Sequence, residues 1–216
     1  VSTIQAYEPT LRALVRAPEK GARHGYQGVA GSHSFFGYSQ WARRYLLILT
    51  SSYADECAPK IPRALDPYVS IARIDIQTTF RVWRADEFIR KLKRSKKYKA
   101  TRITPEDSYG ATLYVGSRTS DLFCRVYNKS AEMCLPPDAD GELTRVEFCL
   151  RDKYADKVWK EYRLNTINDV FSFLVSRMFE ESSASLILES AGAHLSERDL
   201  ELLKSDIHDW RERRLS

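Results

Sequence analysis

Arg125, Tyr127 and Lys129 stand two residues apart and set the chemistry to be explained. In an extended chain, alternate residues share a face. Leu122, Cys124 and Val126 then form an apolar face, and Arg125, Tyr127 and Lys129 form the opposite one. A tyrosine can cut a phosphodiester and keep the energy of that bond in a covalent intermediate. The phenol has a pKa of about 10 and needs a nearby cation or metal to become a good nucleophile. Lys129 and Arg125 are expected to lower the pKa of Tyr127 or to bind the phosphate.

Two further segments repeat the alternation. In residues 71–77 the apolar face is Ala72, Ile74 and Ile76, and the polar face is Arg73, Asp75 and Gln77. In residues 143–148 Thr144, Val146 and Phe148 oppose Arg145 and Glu147. If the three strands share a sheet, its polar face gathers a tyrosine, two carboxylates and several cations. Mg²⁺ and Mn²⁺ prefer oxygen ligands, so Asp75 and Glu147 are candidate ligands. The plainer reading is that Asp75 pairs with Arg73 or Arg145, and Glu147 likewise. On pattern alone, a sheet that binds nucleic acid without cutting it is the simpler function.

The remaining elements must hold these strands. Residues 1–20 read as a short amphipathic segment. Residues 21–28 carry three glycines and read as a turn into a strand or hairpin. Residues 34–38 read as an edge strand, and Trp41 to Leu49 is apolar and β-prone. Residues 51–67 contain three prolines and read as loop with a short helix. The spacing predicts a hairpin over 111–129, turned at residues 118–121. Pro136 to Gly141 is a loop.

Ala85 to Lys97 has helical spacing, with Phe88, Ile89 and Leu92 as its apolar stripe. Its other face is basic: Arg90, Lys91, Lys93, Arg94, Lys96 and Lys97. The bland alternative is a solvated face. Few acids are available to pair these cations, which favours phosphate binding. From Arg151 the pattern is helical, over 168–181 and again from Ser196, with Leu200, Leu203, Ile207 and Trp210 on one stripe. The class is α+β: a central antiparallel sheet with flanking helices and a helical C-terminal segment. The expected division is 1–160 and 161–216.

Composition excludes several alternatives. The 216 residues carry a formal charge of +5. No run is long and apolar enough to span a bilayer, and residues 1–3 show neither the basic nor the apolar region of a signal peptide, so none is expected. Val1 stands where a Met is expected, so the natural start is expected upstream. Cys57, Cys124, Cys134 and Cys149 lack CxxC spacing and read as reduced thiols of a cytoplasmic protein. His24, His33, His194 and His208 form no HxH pair, so a metal site built on two histidines is disfavoured. No P-loop, GxSxG or zinc-spaced set occurs.

Three stretches in order, 72–80, 112–132 and 143–155, resemble the replication initiation factor family of rolling-circle plasmids and integrative-element relaxases. Arg73 and Asp75 match its first strand motif. Tyr114, Gly116, Arg118 and Ser120 match its hairpin. Arg125, Tyr127, Lys129 and Glu132 match the next strand, and Arg145 and Glu147 the last. The resemblance implies a metal-dependent nick of one DNA strand, leaving a 5′-phosphotyrosyl link and a free 3′-OH. Residues 1–160 would then be the nicking domain. Tyr127 is the implied nucleophile, with Tyr114 and Tyr154 as alternatives in matching segments. Asp75 and Glu147 are the implied Mg²⁺ or Mn²⁺ ligands, with Glu132 a third. Lys129, Arg118, Arg125 and Arg145 would contact phosphate or orient the site. The expected partner is origin DNA, single-stranded or extruded as a hairpin, in a bacterial cytoplasm. A second copy of the chain and a helicase are further candidate partners, and a DNA-recognition part is expected beyond the chain's ends.

Overall fold

The computed structural model describes residues 2–15, 19–23, 25–31, 34–49, 52–103, 110–162, 167–193 and 195–198. The chain forms two compact units, one of residues 1–71 with 157–166, the other of 72–156 with 167–216. The α+β class holds, with antiparallel strands in two sheets rather than one.

The first unit opens with helix α1 (Ser2–Ala13). Strands β1 (Glu19–Arg23), β2 (Tyr26–Gly31), β3 (Ser34–Ser39) and β4 (Arg44–Leu49) form a meander in the order β1-β2-β3-β4. The segment read as an edge strand is therefore interior, since β3 pairs on both sides. Trp41 is not in the following strand, because the chain turns between Ser39 and Arg44. Gly28 explains itself by contact: a Cβ there would lie 2.0 Å from the Phe36 carbonyl oxygen. Helix α2 (Ser52–Cys57) and two short 3₁₀ turns follow. Leu11, Leu14, Val15, Phe36, Cys57 and Leu65 make this unit's core.

The second unit contains β5 (Arg73–Val82), α3 (Ala85–Lys91), β6 (Ala100–Ile103), β7 (Thr112–Val115), β8 (Leu122–Asn128), α4 (Lys129–Glu132) and β9 (Glu142–Arg151). The strands order as β5-β9-β8-β7-β6, all antiparallel. The expected β7–β8 hairpin is present, and Gly116 carries a φ of 87° where the chain leaves β7. Helix α5 (Asp152–Tyr162) starts in this unit, which also holds α6 (Ile167–Met178) and α7 (Glu181–Ala191). Helices α6 and α7 share the unit of the five-stranded sheet. The stripe expected from Leu200 to Trp210 lies outside the described residues.

The alternation read from the sequence is realised. Ile74, Ile76 and Phe80 of β5, Val146, Phe148 and Leu150 of β9, and Leu122, Cys124 and Val126 of β8 are all buried. Val170, Phe171, Leu174, Val175 and Met178 of α6 and Ile187 of α7 are buried as well. Phe148 meets Phe171 edge to face at 5.6 Å, and Phe80 meets Phe88 of α3 at the same distance. All four cysteines are unbridged, and no helix among the described residues is long and apolar enough to cross a membrane.

Helix α3 is shorter than its sequence pattern. It ends at Lys91, and Leu92 turns the backbone to an extended conformation. The cause is tertiary. The Lys93 N–H donates to Ser183 Oγ at 2.8 Å, the Lys93 carbonyl accepts from the Glu180 N–H at 2.9 Å, and the Ser95 N–H donates to the Met178 carbonyl at 2.8 Å. The Arg102 guanidinium takes the last helical carbonyls, of Ile89 and Leu92. Lys93, Arg94, Lys96 and Lys97 therefore lie on a non-helical segment held by the α6–α7 connection.

Phe148→Ala removes a fully buried ring from the centre of this core. It is expected to destabilise the protein by about 3–5 kcal/mol, read from the midpoint of urea unfolding.

Candidate active site

Strand pairing sets the polar face in rows. Tyr127 of β8 lies opposite Arg145 of β9, which lies opposite Thr79 of β5. The next row is Arg125, Glu147 and Gln77, and the next is Phe123, Cys149 and Asp75. Two arginines thus flank the tyrosine, one on its own strand and one on its neighbour.

The contacts follow the rows. Arg125 donates from Nη2 to Glu147 Oε2 at 2.7 Å, and its guanidinium carbon lies 4.2 Å from the centre of the Tyr127 ring. Arg145 donates from Nε to Thr79 Oγ1 at 2.7 Å, which fixes it beside Tyr127. Burial opposes the charge on Arg125, but the hydrogen bond to Glu147 together with the fields of Tyr127, Glu147 and Glu132 outweighs it and raises its pKa. An open depression of about 320 Å³ is lined by Gly110, Thr112, Arg125, Tyr127, Asn128, Ala131 and Glu132.

Tyr127 itself departs from expectation. Only 5 % of it is exposed. Burial pushes its pKa up to about 12, with Glu132 and Glu147 adding to the rise and Arg145 and Arg125 opposing it. The two arginines pull in the expected direction, but loss of hydration is the larger effect.

Lys129 is not on the strand. Strand β8 stops at Asn128, whose side-chain oxygen accepts from the Ala131 N–H at 3.0 Å and starts α4. Lys129 is 3 % exposed and donates from Nζ to Glu132 Oε2 at 2.6 Å. It is therefore a buried ion-pair partner near the depression, not a third member of the Arg125–Tyr127 face.

The three implied metal ligands do not converge. Asp75 accepts from Arg73 at 2.8 Å, Glu147 from Arg125, and Glu132 from Lys129. Asp75 and Glu147 are diagonal neighbours on one face, about 7–8 Å apart by β-sheet geometry. Asp75 lies two strands and two rows from Tyr127, whereas Glu132 sits on α4 past the end of β8. Among the described residues no three His, Cys, Asp or Glu side chains gather as a metal site. Asp75 and Glu147 alone still suit Mg²⁺, which commonly takes only one or two carboxylates and fills its shell with water and phosphate.

The alternative tyrosines are placed differently. Tyr114 of β7 stacks on Phe123 at 5.8 Å, and Arg118 lies over its ring at 4.1 Å. It pairs in register with Arg125 and so shares the face with Tyr127. Tyr154 is on α5 and interacts with Arg177 of α6, a helix on the apolar side of the sheet. Of the remaining expected phosphate contacts, Arg90 donates to the Asp86 carbonyl, and Lys91, Lys93, Lys96 and Lys97 are exposed.

A polar network beneath the site was not legible in the sequence. Asn128 Nδ2 donates to Asp86 Oδ1 at 3.1 Å and to Glu142 Oε2 at 3.3 Å. Asp86 also accepts from the N–H groups of Gly110 and Ala111, at 3.1 and 2.9 Å. Glu142 accepts from the Ala85 N–H at the start of α3, at 2.9 Å. All three side chains are buried. The network's trace in the sequence is Asp86 ahead of the run of cations, and an Asn at a strand end reads as a turn residue.

A tyrosine held neutral by the fold couples to stability. Its folded pKa is raised above the unfolded value of about 10. The contribution is complete below pH 10 and is lost as pH rises towards 12, because the unfolded chain ionises first. Wild-type stability is expected to fall over that window. Tyr127→Phe is expected to fall less, measured by urea unfolding at stepped pH.

Two of three comparisons with known proteins find a match. The family described as replication initiation factor matches residues 61–182. No curated protein matches. A solved rolling circle replication initiator protein from Geobacillus stearothermophilus shares the fold, with a TM-score of 0.57 at 19% identity. That likeness covers 82% of this chain and 76% of the other. The matched residues span both arginines, Tyr127 and the carboxylates that share their face, and the chain belongs to the replication initiation factor family.

Proposed function

We propose that this protein initiates rolling-circle replication by nicking one strand of origin DNA through Tyr127. The observation that carries the reading is the adjacency of Tyr127, Arg125, Arg145 and Glu147 on one sheet face of a family member. In the proposed step the Tyr127 oxygen bonds to phosphorus and the bond to the 3′ oxygen breaks. The phenol proton departs as that bond forms, and the leaving 3′ oxygen gains one. Arg125 and Arg145 offset the charge that builds on the phosphate. Asp75 and Glu147 would hold a divalent ion such as Mg²⁺ or Mn²⁺, which supplies further positive charge for the phosphate when bound.

The burial of Tyr127 and its raised pKa favour a second reading, a sheet that binds nucleic acid without cutting it. Incubation with a 3′-labelled single-stranded origin oligonucleotide and Mn²⁺ separates the two. The nicking reading expects a covalent protein–DNA adduct that maps to Tyr127. Tyr127→Phe is expected to lose the adduct while keeping DNA affinity within about twofold. An adduct that persists in Tyr127→Phe passes the role to Tyr114, which shares the face. No adduct under any condition leaves the binding reading.

The cations after α3 are exposed on a segment fixed by backbone hydrogen bonds. The combined variant Lys93→Ala, Lys96→Ala and Lys97→Ala is expected to weaken binding to all DNA sequences alike. Each lost phosphate contact flattens the slope of log K against log salt by about 0.9 for duplex DNA. Parallel salt titrations of wild type and variant would show instead that the segment is only solvated.

A further inference from the structure

The β3–β4 turn of the first unit carries a tryptophan that nothing in the nicking chemistry uses. Trp41 is 95 % exposed, the most exposed of the large hydrophobic side chains described. Burial elsewhere would remove a large apolar surface from water, so a bare indole at a loop tip needs a reason. The tip is also built, not slack. The Ser39 side chain is buried and accepts from the Ala42 N–H at 3.2 Å, which closes the turn. Arg43 adopts a φ of 51°, a left-handed conformation that non-glycine residues rarely take. Ser39 and Arg44 pair across its base.

The tip itself carries only cations, and a carboxylate near its base, Glu8, accepts from the Tyr45 hydroxyl at 3.1 Å. Between Lys20 and Tyr53 the sequence contains no Asp or Glu, and its cations are Lys20, Arg23, Arg43 and Arg44. Strand order places the β1–β2 turn at the same end of the sheet as the β3–β4 turn, because the strands alternate in direction. Arg23 and Tyr26 therefore flank the first turn at the end where Trp41, Arg43 and Arg44 flank the second. A flat aromatic set among guanidinium groups is the chemistry that takes an unpaired base on its ring and the adjoining phosphates on its cations.

We propose that the β3–β4 tip binds DNA at unpaired bases, with Trp41 stacking on a base and Arg43 and Arg44 holding the flanking phosphates. This rests on the reading of the chain as a DNA-acting initiator, and it names the form of DNA taken: a hairpin loop or a junction between paired and unpaired strands. Fully paired duplex offers the arginines their phosphates but gives the indole no open base.

The test is fluorescence anisotropy, without divalent metal, on a labelled DNA hairpin with an open loop and on a blunt duplex of the same stem. Trp41→Ala is expected to lose about tenfold or more in affinity for the hairpin, as removal of a base-stacking aromatic does, and little for the duplex. Trp41→Phe keeps most of the hairpin affinity. The pair Arg43→Ala and Arg44→Ala weakens both DNAs and flattens both salt slopes. Because Trp41 packs against little, the thermal midpoint of its variants should match wild type, which removes misfolding as an explanation. Hairpin binding unchanged in Trp41→Ala overturns the proposal, and so does an equal loss on duplex. Loss of self-association in Trp41→Ala with DNA binding intact overturns it too and makes the tip a contact between copies. The effect of Trp41 on binding, repeated in a Tyr127→Phe background, is expected to persist. Persistence with no adduct in the wild type would sink the tyrosine reading and leave this one standing.

Discussion

The side-chain amide of Asn128 holds the second unit's working end together. Its nitrogen has two hydrogens, and the fold gives one to Asp86 and the other to Glu142. Two buried carboxylates side by side would repel, and each would need hydrogen-bond donors to stay in place. The Asn supplies one to both, and the backbone supplies the rest through Ala85, Gly110 and Ala111. One cluster thereby fixes the start of α3, the approach to β7, the end of β8 and the start of β9. Tyr127 immediately precedes Asn128, so its position on the sheet is tied to the buried partners of that amide on α3 and β9. A half-satisfied version of such a network would cost more than an apolar one.

This arrangement also explains why the tyrosine is so well covered. Arg125 lies on its ring, Arg145 stands opposite, and the depression beside it is rimmed by α4. The same packing that orients the phenol strips it of water. Burial then outweighs two cations in setting its proton affinity. Among the described residues Asp75 pairs with Arg73, Glu147 with Arg125 and Glu132 with Lys129, while Arg145 bonds to the neutral Thr79. An incoming phosphate must therefore compete with Glu147 for Arg125.

What the sequence made legible was the period of two. Alternation along 73–77, 122–127 and 143–148 assigned the buried and polar faces correctly, because a one-residue slip would expose the whole core side. It also put Arg125, Tyr127, Arg145 and Glu147 on one side, since a shared face needs only parity. Features set by distant partners were out of reach. The partners of Asn128 are 42 and 14 residues away, and a polar residue at a strand end reads as a turn. Helix α3 stops because Lys93 bonds to Ser183, 90 residues on, so helical spacing alone ran past the true end. Lys129 was misplaced for the opposite reason, a local one: the Asn128 cap converts strand to helix in a single residue. Parity says which face Asp75 and Glu147 take but not which row, so their diagonal spacing was out of reach as well.

The pairing of β5 with β9 has a consequence for synthesis. These two strands are the first and last of the five-stranded sheet, and Arg73 meets Arg151 across nearly the whole second unit. The β7–β8 hairpin can close as soon as it leaves the ribosome, since its halves are neighbours in the chain. Strand β5 cannot pair with β9 until the chain is translated past residue 151. Until then Ile74, Ile76 and Phe80 have no neighbour strand to line up with, and the closing of so long a loop comes late. The nascent protein therefore passes through an interval in which its β7–β8 hairpin exists and its sheet does not, and a chaperone's best chance of engaging it falls there.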